Sequence, residues 1–239
     1  MIGAVSFSSQ SSRDRLQAAV EAVEAVSRAE VVIAVRAQAR DYLGRDLAVG
    51  CAFGMAALAF QLYSSFVFEL HWILLMPAAV ILAATMGLRA VPILRRLYLP
   101  EPLMALAVRD AAAALFFERG VRYTRERTGV LVFVSLLERR VEVLADSGVL
   151  GEVPGEEWDA ATARLRHVLD GEGGGGSLAE ALAEAIEGLA PVLGEYCERR
   201  EDDVNELGDL VDLGEPSDAQ PEPEAEEPET EAETEGEGQ

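Results

Sequence analysis

The feature that most constrains this chain is an uncharged segment in its middle, LAVGCAFGMAALAFQLYSSFVF, at residues 47–68. As an α-helix it would be about 33 Å long at about 1.5 Å per residue, which matches a bilayer core of about 30 Å. A second apolar run, LHWILLMPAAVILAATMGL at residues 70–88, would reach about 28 Å and carries one ionisable residue, His71. The alternative is a pair of buried helices, but two adjacent helices that are apolar on every face are rare in a soluble core. The pattern therefore predicts a transmembrane helical hairpin over residues 46–94.

Arginines flank the predicted hairpin on both outer sides, and the connection near Glu69 has none. They are Arg36, Arg40 and Arg45 before the hairpin and Arg89, Arg95 and Arg96 after it. Because positively charged flanks stay on the cytoplasmic side of a membrane, both termini are expected in the cytoplasm. The expected location is the inner (plasma) membrane, with the lipid bilayer as a partner.

Small residues recur at a spacing of four in both predicted spans. They are Gly50 and Gly54 in the first span and Ala79, Ala83 and Gly87 in the second. Such rows let helix backbones approach closely in lipid. The rows favour packing within the hairpin over dimerisation.

The residues before the hairpin, 10–45, have the pattern of one helix and one strand. Leu16, Val20 and Val23 share a helical face, and Ser12 is a candidate N-cap. The β-branched run at 31–35 is apolar throughout, as expected of a strand that is covered on both faces. One helix and one strand are too little to be stable alone, so this piece needs the residues beyond the hairpin.

Residues 95–200 supply the rest of the same domain. The predicted elements are a helix at 101–119 that closes at Gly120, strands at 129–136 and 140–146, a helix at 158–169, and a last helix opened by the capping box of Ser177 and Glu180. The order predicts an α/β (α+β) fold in which a small mixed sheet is flanked by helices and interrupted by the transmembrane hairpin.

Charge is concentrated at the carboxyl end of the chain. The formal net charge is −22, and residues 214–239 hold eleven acidic residues and no basic one. A segment this rich in Glu and Pro buries too little apolar surface to fold, so 201–239 is predicted to be an acidic disordered tail. All twenty basic residues are arginine, a bias typical of a GC-rich bacterial genome. No basic stripe with interleaved aromatics is present, which argues against nucleic acid as a partner.

Two parts of the domain resemble a known family. The segments AVEAVEAVSRAEVVIAVRA and RERTGVLVFVSLLERRVEVLADSGV, and the later REDDVNEL, resemble the TPM domain family, whose fold is shared by a thylakoid lumen repair factor and many bacterial membrane proteins. The resemblance covers roughly residues 10–207 and implies a compact α/β sandwich with a small sheet.

The resemblance also implies a chemistry, because some family members bind a divalent cation such as calcium and some have been described as phosphatases. Those members usually place Asp-Asn before the Gly that opens the central strand, where this sequence has Arg127 and Thr128 before Gly129. They also carry a glycine-rich stretch after the next strand, where this sequence has residues 145–148.

Three acidic residues are the candidate metal ligands. Asp146 lies at the end of a predicted strand, and Asp170 and Glu172 lie in the loop LDGEGG. Calcium and other divalent cations of its kind prefer several oxygen ligands on flexible loops. The alternative for Asp146 is local hydrogen bonding to the turn backbone, and for the other two it is simple solvation.

The densest basic group also has two interpretations. It consists of Arg122, Arg125, Arg127, Arg139 and Arg140. These side chains either meet anionic lipid headgroups or pair with nearby glutamates.

Two functions are consistent with these patterns. The first is a membrane-anchored scaffold or accessory module whose cytosolic TPM-like domain holds a protein partner near the membrane. The alternative is a divalent-metal-dependent phosphatase that uses Asp146 with Asp170 or Glu172.

Overall fold

The computed structural model describes residues 9–169, 177–200 and 211–212. In chain order the elements are α1 (Gln10–Glu24), β1 (Glu30–Arg36), α2 (Leu43–Tyr63), α3 (Leu70–Ala90), α4 (Pro92–Tyr98), α5 (Glu101–Glu118), a 3-10 turn (Val121–Tyr123), β2 (Gly129–Ser135), β3 (Arg140–Ala145), α6 (Ser147–Glu152), α7 (Gly155–His167), α8 (Leu178–Glu187), α9 (Ala190–Tyr196) and β4 (Val211–Asp212).

The strands form one mixed sheet in the order β3, β2, β1, β4. β1 and β2 are parallel over their full lengths, from Glu30 opposite Gly129 to Arg36 opposite Ser135. β3 returns antiparallel to β2, and the two residues of β4 extend the other edge parallel to β1. Parallel neighbours need a long crossover, and α2 to α5 provide it. The predicted α/β fold with a small mixed sheet flanked by helices is confirmed.

Helices cover both faces of the sheet, so β1 and β2 are buried on both sides. Val31, Ile33 and Val35 face a core that includes apolar residues of α1 and α6 to α9. Val32 and Ala34 face the opposite way, toward α5. The uninterrupted apolar run in β1 therefore has a physical reason, since every one of its side chains meets a helix layer.

The hairpin consists of α2 and α3, and both helices are long and apolar enough to cross a membrane. α2 spans Leu43–Tyr63 and not the predicted 47–68, so the connection to α3 contains six residues, 64–69, and is longer than predicted. Ser64 leaves the helix with an extended backbone, at φ −74° and ψ 156°.

The hairpin packs through one of the two small-residue rows. A Cβ on Gly50 would lie 2.9 Å from the carbonyl oxygen of Ile81, and a Cβ on Gly54 would lie 2.4 Å from the Ile81 side chain. The second row does not take part, because Ala79 and Ala83 are exposed and a Cβ on Gly87 would meet nothing within 4 Å. The prediction is confirmed for the first row and wrong for the second.

Several local details differ from the sequence pattern. Ser9, and not Ser12, caps α1, while the predicted cap of Ser177 on the Glu180 N–H is present. The short helices α4 and α6 are not predicted. The strand β4 is not predicted either, because its residues are assigned to the acidic tail. The rest of that tail, 201–210 and 213–239, lies outside the described residues.

Candidate functional site

The base of the hairpin holds a buried ion pair. Asp46 lies in the first turn of α2 and is fully buried, and Arg95 lies in α4 with 5% of its surface exposed. The Arg95 guanidinium donates to the Asp46 carboxylate and, at 3.0 Å, to the side-chain oxygen of Gln38. The Tyr98 hydroxyl donates to the second Asp46 oxygen. The two helices and the segment after β1 are therefore joined by one charged network.

A second buried carboxylate lies at the turn between β2 and β3. Glu138 is 3% exposed, and Arg139 beside it closes the turn with a positive φ of 51°. The Glu138 carboxylate accepts hydrogen bonds from the Ala39 backbone N–H at 3.2 Å and from the Tyr42 hydroxyl at 2.7 Å. It also accepts one from the Ser135 hydroxyl. The carboxylate thus ties the strand turn to the segment that leads into α2.

The tyrosines of these networks act as donors. Burial, together with the hydrogen bond to Glu138, raises the pKa of Tyr42 well above its ordinary value. Burial, followed by the hydrogen bond to Asp46, raises the pKa of Tyr98 to about 12. Both phenols therefore remain protonated near neutral pH, as their donor roles require.

These contacts define what we call the hairpin junction. Its members are Gln38, Tyr42, Asp46, Arg95, Tyr98, Ser135 and Glu138. A buried carboxylate without partners would cost several kcal/mol, of the order of 3–5 when one member of a buried pair is removed. The junction therefore holds the hairpin in one orientation relative to the sheet.

Asp146, one of the three predicted metal ligands, lies at the opposite end of the sheet. It caps α6, and its Oδ1 accepts from the Ser147 N–H at 2.6 Å. Its Oδ2 is buried and meets no hydrogen-bond partner among the described residues. Asp170 and Glu172 lie outside the described residues, so the metal site as a whole stays a prediction.

The residues that the structure describes contain no group of three or more His, Cys, Asp or Glu side chains suited to a metal ion. The capping hydrogen bond of Asp146 agrees with the alternative to a metal-binding role, in which this side chain bonds to the neighbouring backbone. The unpartnered Oδ2 is the observation that keeps a ligand role open for this residue.

The same end of the sheet carries a partly exposed charged network. We call it the distal cluster, and it consists of Arg28, Glu126, Glu152 and Arg200. Arg28 contacts Glu126 at 2.7 Å and also pairs with Glu152. Arg200 pairs with Glu126 from the other side. The glutamates keep about two fifths of their side-chain surface in solvent, at 38% and 43%.

The basic group predicted from the sequence is divided between the two ends. Arg127 precedes β2 and Arg139 follows it, and a strand of seven residues is about 23 Å long at about 3.3 Å per residue. The Arg139 guanidinium donates to the carbonyl of Leu169 at 3.0 Å, and Arg140 pairs with Glu101 at 2.6 Å. The five arginines therefore do not form one surface.

The junction residues escape sequence reasoning because their partners are distant in the chain. Asp46 and Arg95 are 49 residues apart, and Tyr42 and Glu138 are 96 apart. One signal is visible in the sequence, since Asp46 stands immediately before an uncharged run. A carboxylate in that position needs either water or a cation.

The comparisons with known proteins concern the fold. The chain matches no protein-family model and no curated protein. One solved structure is similar, the NMR structure of the BA42 protein from the psychrophilic bacterium Bizionia argentinensis. The TM-score is 0.51 at 14% sequence identity, and the similarity covers 86% of this chain and 94% of that one. At this identity the similarity shows the fold alone.

Proposed function

We propose that the protein is a membrane-anchored accessory module. The hairpin crosses the inner (plasma) membrane, both termini are cytoplasmic, and the α/β domain holds a protein partner close to the lipid. The observation that carries this proposal is the exposed apolar surface of the hairpin. In α3, which is described throughout, the fold buries Thr85 alone, and Leu74 and Leu82 are among many exposed apolar side chains. An apolar surface of this extent needs an apolar environment.

The junction supports the same proposal from the side of the domain. The Asp46 and Arg95 pair and the Glu138 network attach the hairpin to the sheet by buried polar contacts. A flexible tether would need none of these contacts. A fixed attachment presents one face of the domain at a constant distance from the bilayer, which suits a module that positions a partner.

We further propose that the α/β domain is of the TPM type and that the chain is bacterial. The compact α/β sandwich with a small sheet that the TPM resemblance implies is compatible with the mixed sheet between helix layers. The fold similarity to a bacterial protein is compatible with this assignment.

Membrane insertion and topology are tested together by cysteine labelling. In a Cys51→Ala background, Val67→Cys places an exposed thiol in the connection of the hairpin, and Glu156→Cys places one on α7. Native Cys197 is buried and contributes little background. A membrane-impermeant maleimide should label position 67 in intact spheroplasts and position 156 only after lysis. Recovery of the chain in the soluble fraction after detergent-free lysis would contradict the proposal.

The scaffold role is tested by affinity capture of the full chain from membranes in mild detergent. The expected result is a specific protein that is recovered with the folded domain. The same capture with an unrelated hairpin protein of similar size controls for detergent-driven association. Recovery of no specific protein, while the domain remains folded by circular dichroism, would count against this role.

The alternative function is a divalent-metal-dependent phosphatase, and the unpartnered Oδ2 of Asp146 is the observation that favours it. Calorimetric titration of the full chain in detergent with Ca²⁺, Mg²⁺ and Mn²⁺ tests the metal. Asp146→Asn is the matched variant, because asparagine keeps the capping oxygen and loses the charge. Absence of metal binding and of phosphomonoester turnover would remove this function. Turnover that persists in Asp146→Ala would remove the residue assignment.

A further inference from the structure

The short helix α4 (Pro92–Tyr98) exposes apolar side chains and buries one of its two arginines. Its apolar side chains Ile93 and Leu97 are 67% and 81% exposed, while its charged Arg95 is 5% exposed. Surface helices normally turn apolar residues inward and charged ones outward. The exposed face of α4 is therefore built for an apolar neighbour outside the fold.

The position of α4 restricts what that neighbour is. α4 begins two residues after α3 ends at Ala90, so it lies directly at the base of the hairpin. Arg95 holds it there through Asp46 of α2 and Gln38. If α4 rotated to turn its apolar face inward, the pair would break and Asp46 would be left buried without its cation. Ile93 and Leu97 thus continue the apolar surface of the hairpin around its base.

Charge at the same level favours an anionic surface. Arg45 and Arg96 are exposed, and neither has an ion pair or side-chain hydrogen bond with another described residue. Arginine next to a bilayer keeps its aliphatic stem in the apolar layer and its guanidinium among the headgroups.

From these observations we propose that α4 is an interfacial helix that binds anionic lipid. Ile93 and Leu97 enter the boundary between headgroups and acyl chains, and Arg45 and Arg96 contact lipid phosphates. This inference rests on the proposed membrane anchoring and adds the depth of α4 and the lipid class. A bilayer fits better than a protein partner, because the apolar face is continuous with helices of membrane length and is flanked by two exposed arginines that have no ion pair with another described residue.

The depth of α4 is tested in nanodiscs that contain the full chain, with phosphatidylcholine and phosphatidylglycerol at about 70:30. In the Cys51→Ala background, Leu97→Cys carries an environment-sensitive fluorophore. Leu150→Cys is the matched control, since Leu150 is also exposed, at 54%, and lies on α6 at the other end of the sheet. The expected result is blue-shifted emission and quenching by brominated lipid at position 97, and neither at position 150.

The lipid class is tested by placing the bromine on one lipid at a time while the composition is kept constant. Brominated phosphatidylglycerol should quench the label at position 97 more strongly, with about five-fold local enrichment per contacting arginine, which corresponds to about 1 kcal/mol. Arg96→Glu should abolish most of this preference. Arg127→Glu, an equal charge change on an exposed residue at the other end of the sheet, should leave it intact.

The outcomes separate the inference from the membrane anchoring. If the label at position 97 is as accessible to water as the label at 150 in a chain that stays in the nanodisc, the inference is overturned and the anchoring stands. Equal quenching by the two brominated lipids overturns the anionic preference. A chain that fails to enter nanodiscs overturns the anchoring and the inference together.

Discussion

The two ends of the sheet use the same kinds of charged groups in opposite environments. At the hairpin junction, Asp46 is fully buried and Arg95 nearly so. In the distal cluster, Arg28 is similarly buried, but its partners Glu126 and Glu152 keep 38% and 43% of their side-chain surface exposed. Water can replace a lost partner at the distal cluster and has little access to the junction.

The contribution of an ion pair to stability therefore depends more on its burial than on the distance between its charged atoms. A buried charge that loses its partner costs about 3–5 kcal/mol, whereas an exposed pair contributes about 0–1 kcal/mol. The junction is where the domain meets the apolar hairpin, so the strongest dependence on single side chains falls at the boundary between the two parts of the molecule.

The largest effect is expected at Asp46. Asp46→Ala leaves the buried Arg95 and the Tyr98 hydroxyl without their acceptor, and we expect a loss of about 3–5 kcal/mol in the free energy of unfolding. Thermal unfolding of the full chain in detergent measures it. The double variant Asp46→Leu and Arg95→Leu should recover most of the loss, because it removes both charges. Equal stability of Asp46→Ala and the wild-type chain would contradict the importance of burial.

The next largest effect is expected at Glu138. Glu138→Leu removes the acceptor of the Tyr42 and Ser135 hydroxyls and of the Ala39 N–H, which should cost about 3 kcal/mol. Glu142→Leu is the control, since Glu142 lies on the neighbouring strand and is only partly buried. A similar loss in both variants would show that the turn, and not the buried network, decides stability.

These two residues also show how far the sequence can be interpreted. β1 and β2 are predictable because their apolar runs reflect burial on both faces, a property of each segment by itself. The junction pairs depend on how segments 49 and 96 residues apart meet in space, and no local pattern records that. The burial of Arg95 in α4 cannot be predicted for a related reason, since Arg95 appears in the sequence as one more arginine of the segment after the hairpin.

The candidate metal site stays a prediction, and only the place of Asp146 can be compared with the structure. Strand alternation places Asp146 at the end of β3, and the structure puts it there as the cap of α6. The burial of Asp146 Oδ2 depends on tertiary packing, which local spacing does not specify. A network that depends on tertiary packing therefore cannot be predicted from local sequence, whereas a strand or a membrane-length helix can.

Within the hairpin, Gly50 lies against the facing helix and Gly87 faces open space. Gly50→Ile would force a side chain against the Thr85 hydroxyl and the Ile81 backbone, and we expect a loss of about 1–3 kcal/mol from overpacking. Gly87→Ile enters open space and should be close to neutral. Thermal unfolding in detergent compares the two. Equal destabilisation by both would show that the second row also packs against protein.

Alkaline pH gives a smaller effect at the junction. The pKa of Tyr98 is raised to about 12 by burial and the bond to Asp46, from about 10 in the unfolded chain. The folded state holds this proton more tightly, so its contribution to stability is complete below pH 10 and is lost as the pH rises through 12. Tyr98→Phe should flatten the stability curve over that range, and Tyr123→Phe, at an exposed tyrosine, should not. Superimposable curves for Tyr98→Phe and wild type would contradict this account.

The smallest effect is expected in the distal cluster. Glu152→Gln removes one partner of Arg28, but Glu126 remains at 2.7 Å and solvent reaches both glutamates. We expect a loss below about 1 kcal/mol, and less at high salt because exposed charges are screened. Thermal unfolding at about 0.05 and 1 M NaCl measures both quantities. A loss as large as that of Asp46→Ala would contradict the contrast between the two ends of the sheet. It would mean that the mostly buried Arg28 needs Glu152 as much as Arg95 needs Asp46.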